Sequence, residues 1–299
     1  MKNVLVTGAS GFLGSHLVKG LWKKNLNVVQ MTHEPLPVSN GVGGSVCDLP
    51  LLKRIVTKYE VDTVFHLAAQ AQVSTAVANP VETLKTNVQG TWNVLEACRL
   101  HGVRRVVVAS SDKAYGAGEV PYSESQPLLS HGIYATSKAM ADFVAQAYAK
   151  DYPEITISIT RCSNLYGPGH ENYSTLIPGT IRSILRKERP VIRSDGQAAR
   201  DYLFVEDAVN AYITLAESNQ CGAWNFGSGR AYTAIEVANH ILKLMKSKLK
   251  VEILGTAKDE IQVQYSDCSR AEFDLAWMPK YSLKTGLEKT ITWYKDHLK

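Results

Sequence analysis

The feature that most constrains this chain is a glycine-rich turn between its first apolar run and its first helical segment. Val4–Val6 predicts a short buried strand, and the segment Phe12–Lys23 predicts a helix. The glycines between and within them have the spacing GxxGxxG, whereas the commoner dinucleotide motif is GxGxxG. Such a turn lets backbone N–H groups approach a pyrophosphate at the positive helix N-terminus. We therefore predict cofactor binding by the turn residues, which are Gly8, Ser10, Gly11, Phe12, Leu13 and Gly14.

The rest of the first half alternates short apolar runs with longer helical patterns. The further predicted strands are Val28–Met31, Val61–Phe65, Val106–Ala109 and Ile155–Thr160, and the further helices are Leu49–Tyr59, Pro80–Leu100 and Tyr134–Lys150. Near-continuous apolar strands that alternate with helices are typical of a parallel sheet covered on both faces. After about Gly167 the periodicity becomes irregular, which indicates a smaller, loop-rich domain interleaved with the sheet.

Composition excludes several classes of protein. The 299 residues carry 33 Lys plus Arg against 28 Asp plus Glu, a net charge of +5 without a basic run, so no nucleic-acid partner is predicted. No apolar stretch approaches the ~20 residues of a membrane span, and the N-terminus reaches Thr7-Gly8 too soon for a signal peptide. Five scattered cysteines without CxxC spacing predict buried thiols in a reducing compartment and no metal site. A cytoplasmic protein is expected.

The end of the second predicted strand bears on which dinucleotide binds. An Asp or Glu there would contact the ribose of NAD, whereas a basic residue would accept the phosphate of NADP. This chain has Thr32 at that position, followed by His33, which is either a weak partner for the NADP phosphate or, as we favour, an exposed loop residue. NAD is therefore favoured, and NADP stays open. Asp48, followed by Leu49, is a candidate for the adenine amino group, for the N-cap of the next helix, or for both.

A tyrosine and a lysine in one predicted helix point to redox chemistry. Tyr134 and Lys138 stand at i and i+4 and so share a helix face. A free tyrosine has a pKa near ~10, and a neighbouring ammonium and a positive nicotinamide ring would lower it. Such a tyrosine could then take the proton of a sugar hydroxyl. Ser111, at the end of a predicted parallel strand, lies at the sheet edge where ligands bind and could hold the substrate oxygen.

Taken together, these motifs resemble an extended short-chain dehydrogenase/reductase of the nucleotide-sugar epimerase/dehydratase family. The resemblance covers nearly the whole chain and rests on the glycine turn, His66-Leu67-Ala68-Ala69, Asn87 in Asn-Val-Gln-Gly-Thr, Ser111, Tyr134/Lys138 and Arg200-Asp201-Tyr202. It implies that Leu67, Ala68, Ala69 and Asn87, with Tyr134 and Lys138, contact the cofactor. It also implies a homodimer built from the helices Asn79–Leu100 and Tyr134–Lys150.

The same resemblance implies a fold of two interleaved parts. The first is a Rossmann-like doubly wound parallel sheet in an α/β domain that spans residues 1–166 and about 202–228. The second is a smaller α/β domain, residues 167–201 and 229–299, that binds a nucleotide-diphosphate sugar. The family pattern assigns the diphosphate of that sugar to Asn164, at the end of the first domain, and to Arg200 in the second. The segment from Arg182 to Arg200 has six basic residues and two acids, a local charge of +4. We add Arg193 from this segment, because it and Arg200 flank the turn Ser194-Asp195-Gly196.

The segment Ser111-Asp112-Lys113 before Tyr115-Gly116 separates the reactions within the family. The 4,6-dehydratases have Thr-Asp-Glu there, and their Asp is the general acid for loss of the C6 hydroxyl. Asp112 therefore favours dehydration, while a loop-capping role is its structural alternative. Lys113 departs from the pattern and resembles the CDP-glucose 4,6-dehydratase branch. It would act as a base only with a strongly lowered pKa, or would stabilise the C5 enolate, the role we favour.

The expected reaction has three steps. Tyr134 deprotonates the C4 hydroxyl while hydride passes to NAD; the C5 proton and C6 hydroxyl then leave; hydride finally returns to C6, giving a 4-keto-6-deoxy sugar. An epimerase or an NAD(P)H-dependent 4-keto reductase on the same fold is the nearest alternative. A non-catalytic NAD(P)-binding sensor is the alternative from another class, although Ser111, Tyr134 and Lys138 together argue against it.

Overall fold

The fold is described from a computed structural model that covers residues 1–34, 36–256 and 261–298. Its strands are β1 Asn3–Thr7, β2 Asn27–Thr32, β3 Gly41–Gly43, β4 Thr63–His66, β5 Arg105–Ala109, β6 Thr156–Cys162, β7 Asn164–Tyr166, β8 Val191–Ile192, β9 Ala199–Phe204, β10 Gly222–Phe226, β11 Ala231–Thr233, β12 Glu252–Ile253 and β13 Val263–Gln264. Its α-helices are α1 Phe12–Lys23, α2 Leu49–Lys58, α3 Val73–Ala78, α4 Pro80–Leu84, α5 Gly90–Leu100, α6 Ile133–Asp151, α7 Leu176–Leu185, α8 Val205–Glu217, α9 Ala234–Leu244, α10 Ser269–Leu275 and α11 Leu283–His297.

Seven strands form the central sheet in the order β10-β6-β5-β4-β1-β2-β3, and every neighbouring pair is parallel. This confirms the predicted doubly wound α/β sheet. The order reverses beside β1, which is the place where such sheets bind ligands at the carboxyl ends of their strands. Because the strands are parallel, β1, β2, β4, β5 and β6 all end at the same edge.

Separate apolar cores cover the two faces of the sheet. One packs α1 and α8 against it, with Leu17 and Tyr212 fully buried, and the other packs α2 and α5, with Leu52 and Val94 at about 1% exposure. A third core joins α7, α9 and α11 with strands β7 and β9 of a small second sheet. The three cores agree with an interleaved second domain, whereas the boundaries at 166/167, 201/202 and 228/229 stay predictions.

Two local expectations need correction. The predicted helix Pro80–Leu100 is interrupted by one turn of π-helix at Lys85–Gln89, which contains Asn87. The five cysteines are free thiols, but only Cys98 and Cys162 are buried, and Cys221 is exposed. Across residues 1–34, 36–256 and 261–298, no helix has the length and apolar character needed to cross a membrane.

Candidate active site

The glycine turn after β1 forms a cradle made of backbone. Gly8 has a φ of +69°, and a Cβ on it would lie 2.8 Å from the Ala68 amide nitrogen. A Cβ on Gly14 would lie 2.2 Å from the Gly8 carbonyl oxygen. Helix α1 follows with Gly11 as its N-cap, no side-chain hydrogen bond at that cap and no acidic residue in the first turn. Its first N–H groups are therefore available to an anion, and the turn fits the pyrophosphate of a dinucleotide.

Buried side chains support this cradle from below. The register pairs Thr7 with His66 across β1 and β4. Thr7 Oγ1 accepts hydrogen bonds from the Leu67 and Ala68 amides at 3.2 Å and lies 2.8 Å from His66 Nδ1. Burial lowers the pKa of His66 to about 3, so the imidazole is neutral at physiological pH. The structure thus brings the predicted Leu67–Ala69 segment against Gly8.

The ribose end of the site differs in detail from the expectation. Thr32 ends β2 in the predicted place, but it is buried and its hydroxyl donates to the Glu34 carbonyl. His33 is exposed, as expected. Asp48 accepts a hydrogen bond from the Leu51 amide at 2.9 Å and caps α2, which confirms its predicted N-cap role.

Asn87 lies in the π-helical turn and is hydrogen-bonded both to the loop after β4 and to helix α6. Its side-chain oxygen accepts from the Gln70 amide at 2.7 Å, and its amide group donates to the Gln70 carbonyl at 3.0 Å and to Ser137 Oγ at 2.8 Å. A π-turn is uncommon and often marks a functional site. Asn87 therefore ties the loop after β4 to helix α6, where Tyr134 and Lys138 lie.

The predicted Ser111, Tyr134 and Lys138 come together at the ends of β5 and β6. Tyr134 forms a side-chain hydrogen bond with Ser111, and Lys138 Nζ donates to the Ala109 carbonyl at 2.7 Å. Desolvation raises the pKa of Tyr134 to about 12, and the Asp112 carboxylate adds to this rise, whereas the Ser111 hydrogen bond opposes it. The sequence led us to expect a lowered pKa for Tyr134, but desolvation is the largest cause here and raises it instead.

Lys138 itself is strongly affected by its surroundings. Burial lowers its pKa to about 8, although the Asp142 and Cys162 side chains act in the opposite direction. Asp142 lies one helical turn further along α6 and forms a buried ion pair with Arg161 of β6 at 2.9 Å. Arg161 also donates to the Tyr115 hydroxyl at 2.9 Å. Sequence reasoning assigned no role to Asp142 or Arg161, although the i+4 spacing from Lys138 was a usable signal.

Asp112 and Lys113 form the other ion pair of the site. They lie in a short 3-10 turn, Asp112–Tyr115, that follows β5 and is capped by Ser111. Lys113 Nζ is 3.1 Å from both carboxylate oxygens of Asp112, and Ser111 Oγ donates to one of them at 3.2 Å. An acid–base pair is thus linked through Ser111 to Tyr134.

A cavity of about 480 Å³ lies between α7, β8 and β9. Arg200, Arg193 and Arg182 line it, and among the described residues that line it none is acidic. Arg193 donates to the Ser174 carbonyl at 2.9 Å, and Arg182 stacks over the Tyr173 ring at 4.4 Å. Arg182 was not singled out from the sequence, although the +4 segment begins with it. Asn164 does not line this cavity; its amide donates to the Asp201 carbonyl at 3.1 Å, which holds the start of β7 against β9.

Comparisons with known proteins agree with this geometry. Residues 4–227 match the family described as NAD dependent epimerase/dehydratase. The dTDP-glucose 4,6-dehydratase of Haemophilus influenzae is 30% identical, with 98% of each chain covered.

Two solved structures share the whole fold. The UDP-glucose 4-epimerase of Thermotoga maritima, crystallised with UDP-glucose, superposes with a TM-score of 0.92 at 27% identity, covering 99% of this chain and 100% of that one. The dTDP-glucose 4,6-dehydratase of Bacillus anthracis, in complex with NAD, gives 0.88 at 25% identity, covering 99% and 97%.

The family match also identifies the cofactor. Since the family is NAD-dependent and the backbone cradle fits a dinucleotide, the predicted NAD is confirmed. The chain belongs to the NAD-dependent epimerase/dehydratase family of enzymes.

Proposed function

We propose that the protein is a nucleotide-sugar 4,6-dehydratase that forms an NDP-4-keto-6-deoxy sugar. The proposal rests above all on the Asp112–Lys113 ion pair beside Ser111 and Tyr134. Oxidation at C4 needs only Ser111, Tyr134, Lys138 and the cofactor, whereas loss of water from C5 and C6 also needs groups that move protons there. The dTDP-glucose 4,6-dehydratase among the relatives supports this choice. The sequence resemblance to the CDP-glucose branch belongs to the same proposal.

NAD, when bound in the backbone cradle, supplies a hydride acceptor for C4 and a hydride donor for C6. Tyr134 takes the proton of the C4 hydroxyl, and Ser111 holds that oxygen against it. Lys138 donates a hydrogen bond from its ammonium to the Ala109 carbonyl at 2.7 Å, which fixes its position one helical turn from Tyr134 in α6. Its positive charge near the phenol favours the phenolate once the substrate has excluded water.

We assign the nucleotide diphosphate to the arginine-lined cavity. Arg200 and Arg193 suit bidentate contact with phosphate, and Arg182 extends the positive surface along α7. The three arginines, with no acid among the described lining residues, support an anionic ligand. Asn164 acts here by holding β7 beside Arg200, because its amide already bonds to the Asp201 carbonyl.

The proposal is tested with a panel of CDP-, GDP-, UDP- and dTDP-sugars incubated with the purified protein and NAD. Dehydration predicts that one of them loses the mass of one water without net consumption of NAD. If the mass of the sugar is unchanged and its stereochemistry at C4 is altered, the reaction is epimerisation and not dehydration. Binding of NAD without reaction of any sugar would favour the alternative function, a non-catalytic NAD(P)-binding sensor.

Epimerisation is the second candidate, supported by the close superposition with the Thermotoga maritima epimerase. It needs the same Ser111, Tyr134 and Lys138 but no acid–base pair at Asp112 and Lys113. The Asp112→Asn variant separates the two reactions. Dehydration predicts that this variant oxidises C4, seen as NADH absorbance, and releases no water, whereas an epimerase would keep its turnover.

We further propose a homodimer through helices α3–α6. These helices expose apolar side chains that a monomer would leave in water, namely Val73, Val77, Val81, Trp92, Met140 and Phe143. Phe143 is 54% exposed. A Phe143→Glu variant is expected to run as a monomer in light scattering while the wild type runs as a dimer. A monomeric wild type would refute this part of the proposal.

A further inference from the structure

The two members of the Asp112–Lys113 pair differ sharply in their access to solvent. The Asp112 side chain is 1% exposed, and the Lys113 side chain is 26% exposed. Each Asp112 oxygen lies 3.1 Å from Lys113 Nζ, and one also accepts from Ser111. A sugar that enters from solvent therefore contacts Lys113, while Asp112 stays behind it. This placement does not suit an Asp112 that gives its proton directly to the C6 hydroxyl.

On the basis of the dehydration proposed above, we propose that Lys113 is the catalytic residue that moves protons at C5 and C6. Asp112 is then a positioning residue that takes up and returns the proton of Lys113. Once a bound sugar covers the partly exposed Lys113, both charges of the ammonium–carboxylate pair have lost their solvation. Its neutral form, an amine beside a carboxylic acid, avoids that loss, and a bound sugar that excludes water from Lys113 shifts the pair toward it.

The proton balance closes within this pair and solvent. After C4 is oxidised, one proton passes from Nζ to the Asp112 carboxylate, and the free amine removes the C5 proton to leave an enolate. The enolate electrons form the C5–C6 double bond as the C6–O bond breaks, and the leaving hydroxide takes a proton from Nζ and departs as water. Asp112 then returns its proton to Nζ. When hydride reaches C6, Nζ gives a proton to C5, and solvent reprotonates the amine with the proton released through Tyr134.

The test measures deuterium incorporation at C5 in D₂O, by mass spectrometry of recovered substrate, using the nucleotide sugar that wild-type enzyme dehydrates. Two variants are compared, Asp112→Asn and Lys113→Arg. Arginine keeps a positive charge beside Asp112 but cannot give up its proton. NADH absorbance after mixing establishes that each variant is folded and oxidises C4.

We expect both variants to form NADH and both to incorporate C5 deuterium at least about 100-fold more slowly than wild type, the usual scale of general acid–base catalysis. If Asp112→Asn exchanges C5 normally yet releases no water, Asp112 is the direct acid and our assignment is wrong. Normal exchange in Lys113→Arg would move the base to another residue and overturn it as well. A wild type that releases no water from any sugar refutes the dehydration itself.

Discussion

The glycine turn at residues 8–14 and the cavity beside Arg200 both suit phosphate groups, but they are built in different ways. The turn offers backbone N–H groups, and its shape depends on the absence of Cβ atoms at Gly8 and Gly14. The cavity offers guanidinium groups from α7, β9 and the segment after β8. A Cβ at Gly8 or Gly14 would displace the backbone that forms the turn. Replacement of one arginine in the cavity leaves the backbone in place and only weakens ligand binding. The comparison predicts that damage to the turn is severe and damage to the cavity is graded.

The largest effect is expected from Gly14→Ala. Its Cβ would lie 2.2 Å from the Gly8 carbonyl oxygen, so the backbone of the turn must move and its N–H groups lose their alignment. We expect NAD affinity, measured by isothermal titration calorimetry, to fall about 100-fold, equivalent to ~3 kcal/mol.

The matched control is Gly102→Ala. Gly102 also has a positive φ, +68°, but a Cβ there meets nothing within 4 Å. It should lose about 1 kcal/mol of stability from backbone strain while NAD affinity is unchanged. Equal NAD affinities for both variants would contradict the backbone cradle.

Arg200→Lys tests the side-chain site and should have an intermediate effect. Lysine keeps the charge but loses the planar fork that suits a diphosphate. We expect KM for the nucleotide sugar to rise roughly 10-fold, with kcat and NAD affinity nearly unchanged. Arg189→Lys is the control, because Arg189 lies on the surface in a 3.8 Å pair with Glu252. A loss of NAD affinity in Arg200→Lys would show that the two sites are not separable.

The last prediction concerns stability, not binding, and rests on His66, the buried side chain beneath the backbone cradle. Its pKa is about 3 in the folded protein against a usual value near 6.5. Between these values the unfolded chain binds a proton that the folded protein does not, so stability falls as pH drops from about 6.5 toward 3. One proton corresponds to a slope of about 1.4 kcal/mol per pH unit.

The His66→Gln variant should lose this contribution to the slope of unfolding free energy against pH. The expectation holds whatever the stability of the variant at pH 7. His170 also has a pKa lowered by burial, to about 4, so the wild type carries more than one such contribution. The measurement is therefore the difference between the two slopes in urea unfolding at several pH values. Parallel slopes would refute a neutral His66 in the folded protein.

The sequence by itself predicted the parallel sheet, the glycine turn, the helix that carries Tyr134 and Lys138, and the N-cap at Asp48. Each of these depends on neighbours within a few residues: apolar periodicity, glycines that admit a close approach, and i,i+4 spacing. Features that depend on such local patterns can be predicted from the sequence without a structure. The family resemblance added Asn87 and Arg200, which no local rule would have selected.

Only the tertiary structure decided how these parts act on one another. The sequence led us to expect a lowered pKa for Tyr134, whereas burial, together with the Asp112 carboxylate, raises that pKa. The 3-10 turn after β5 leaves Asp112 buried and Lys113 partly exposed, although the two are adjacent in the chain. Solvent access and electrostatic environment are set by residues distant in sequence, and so the fold had to be known before roles could be assigned.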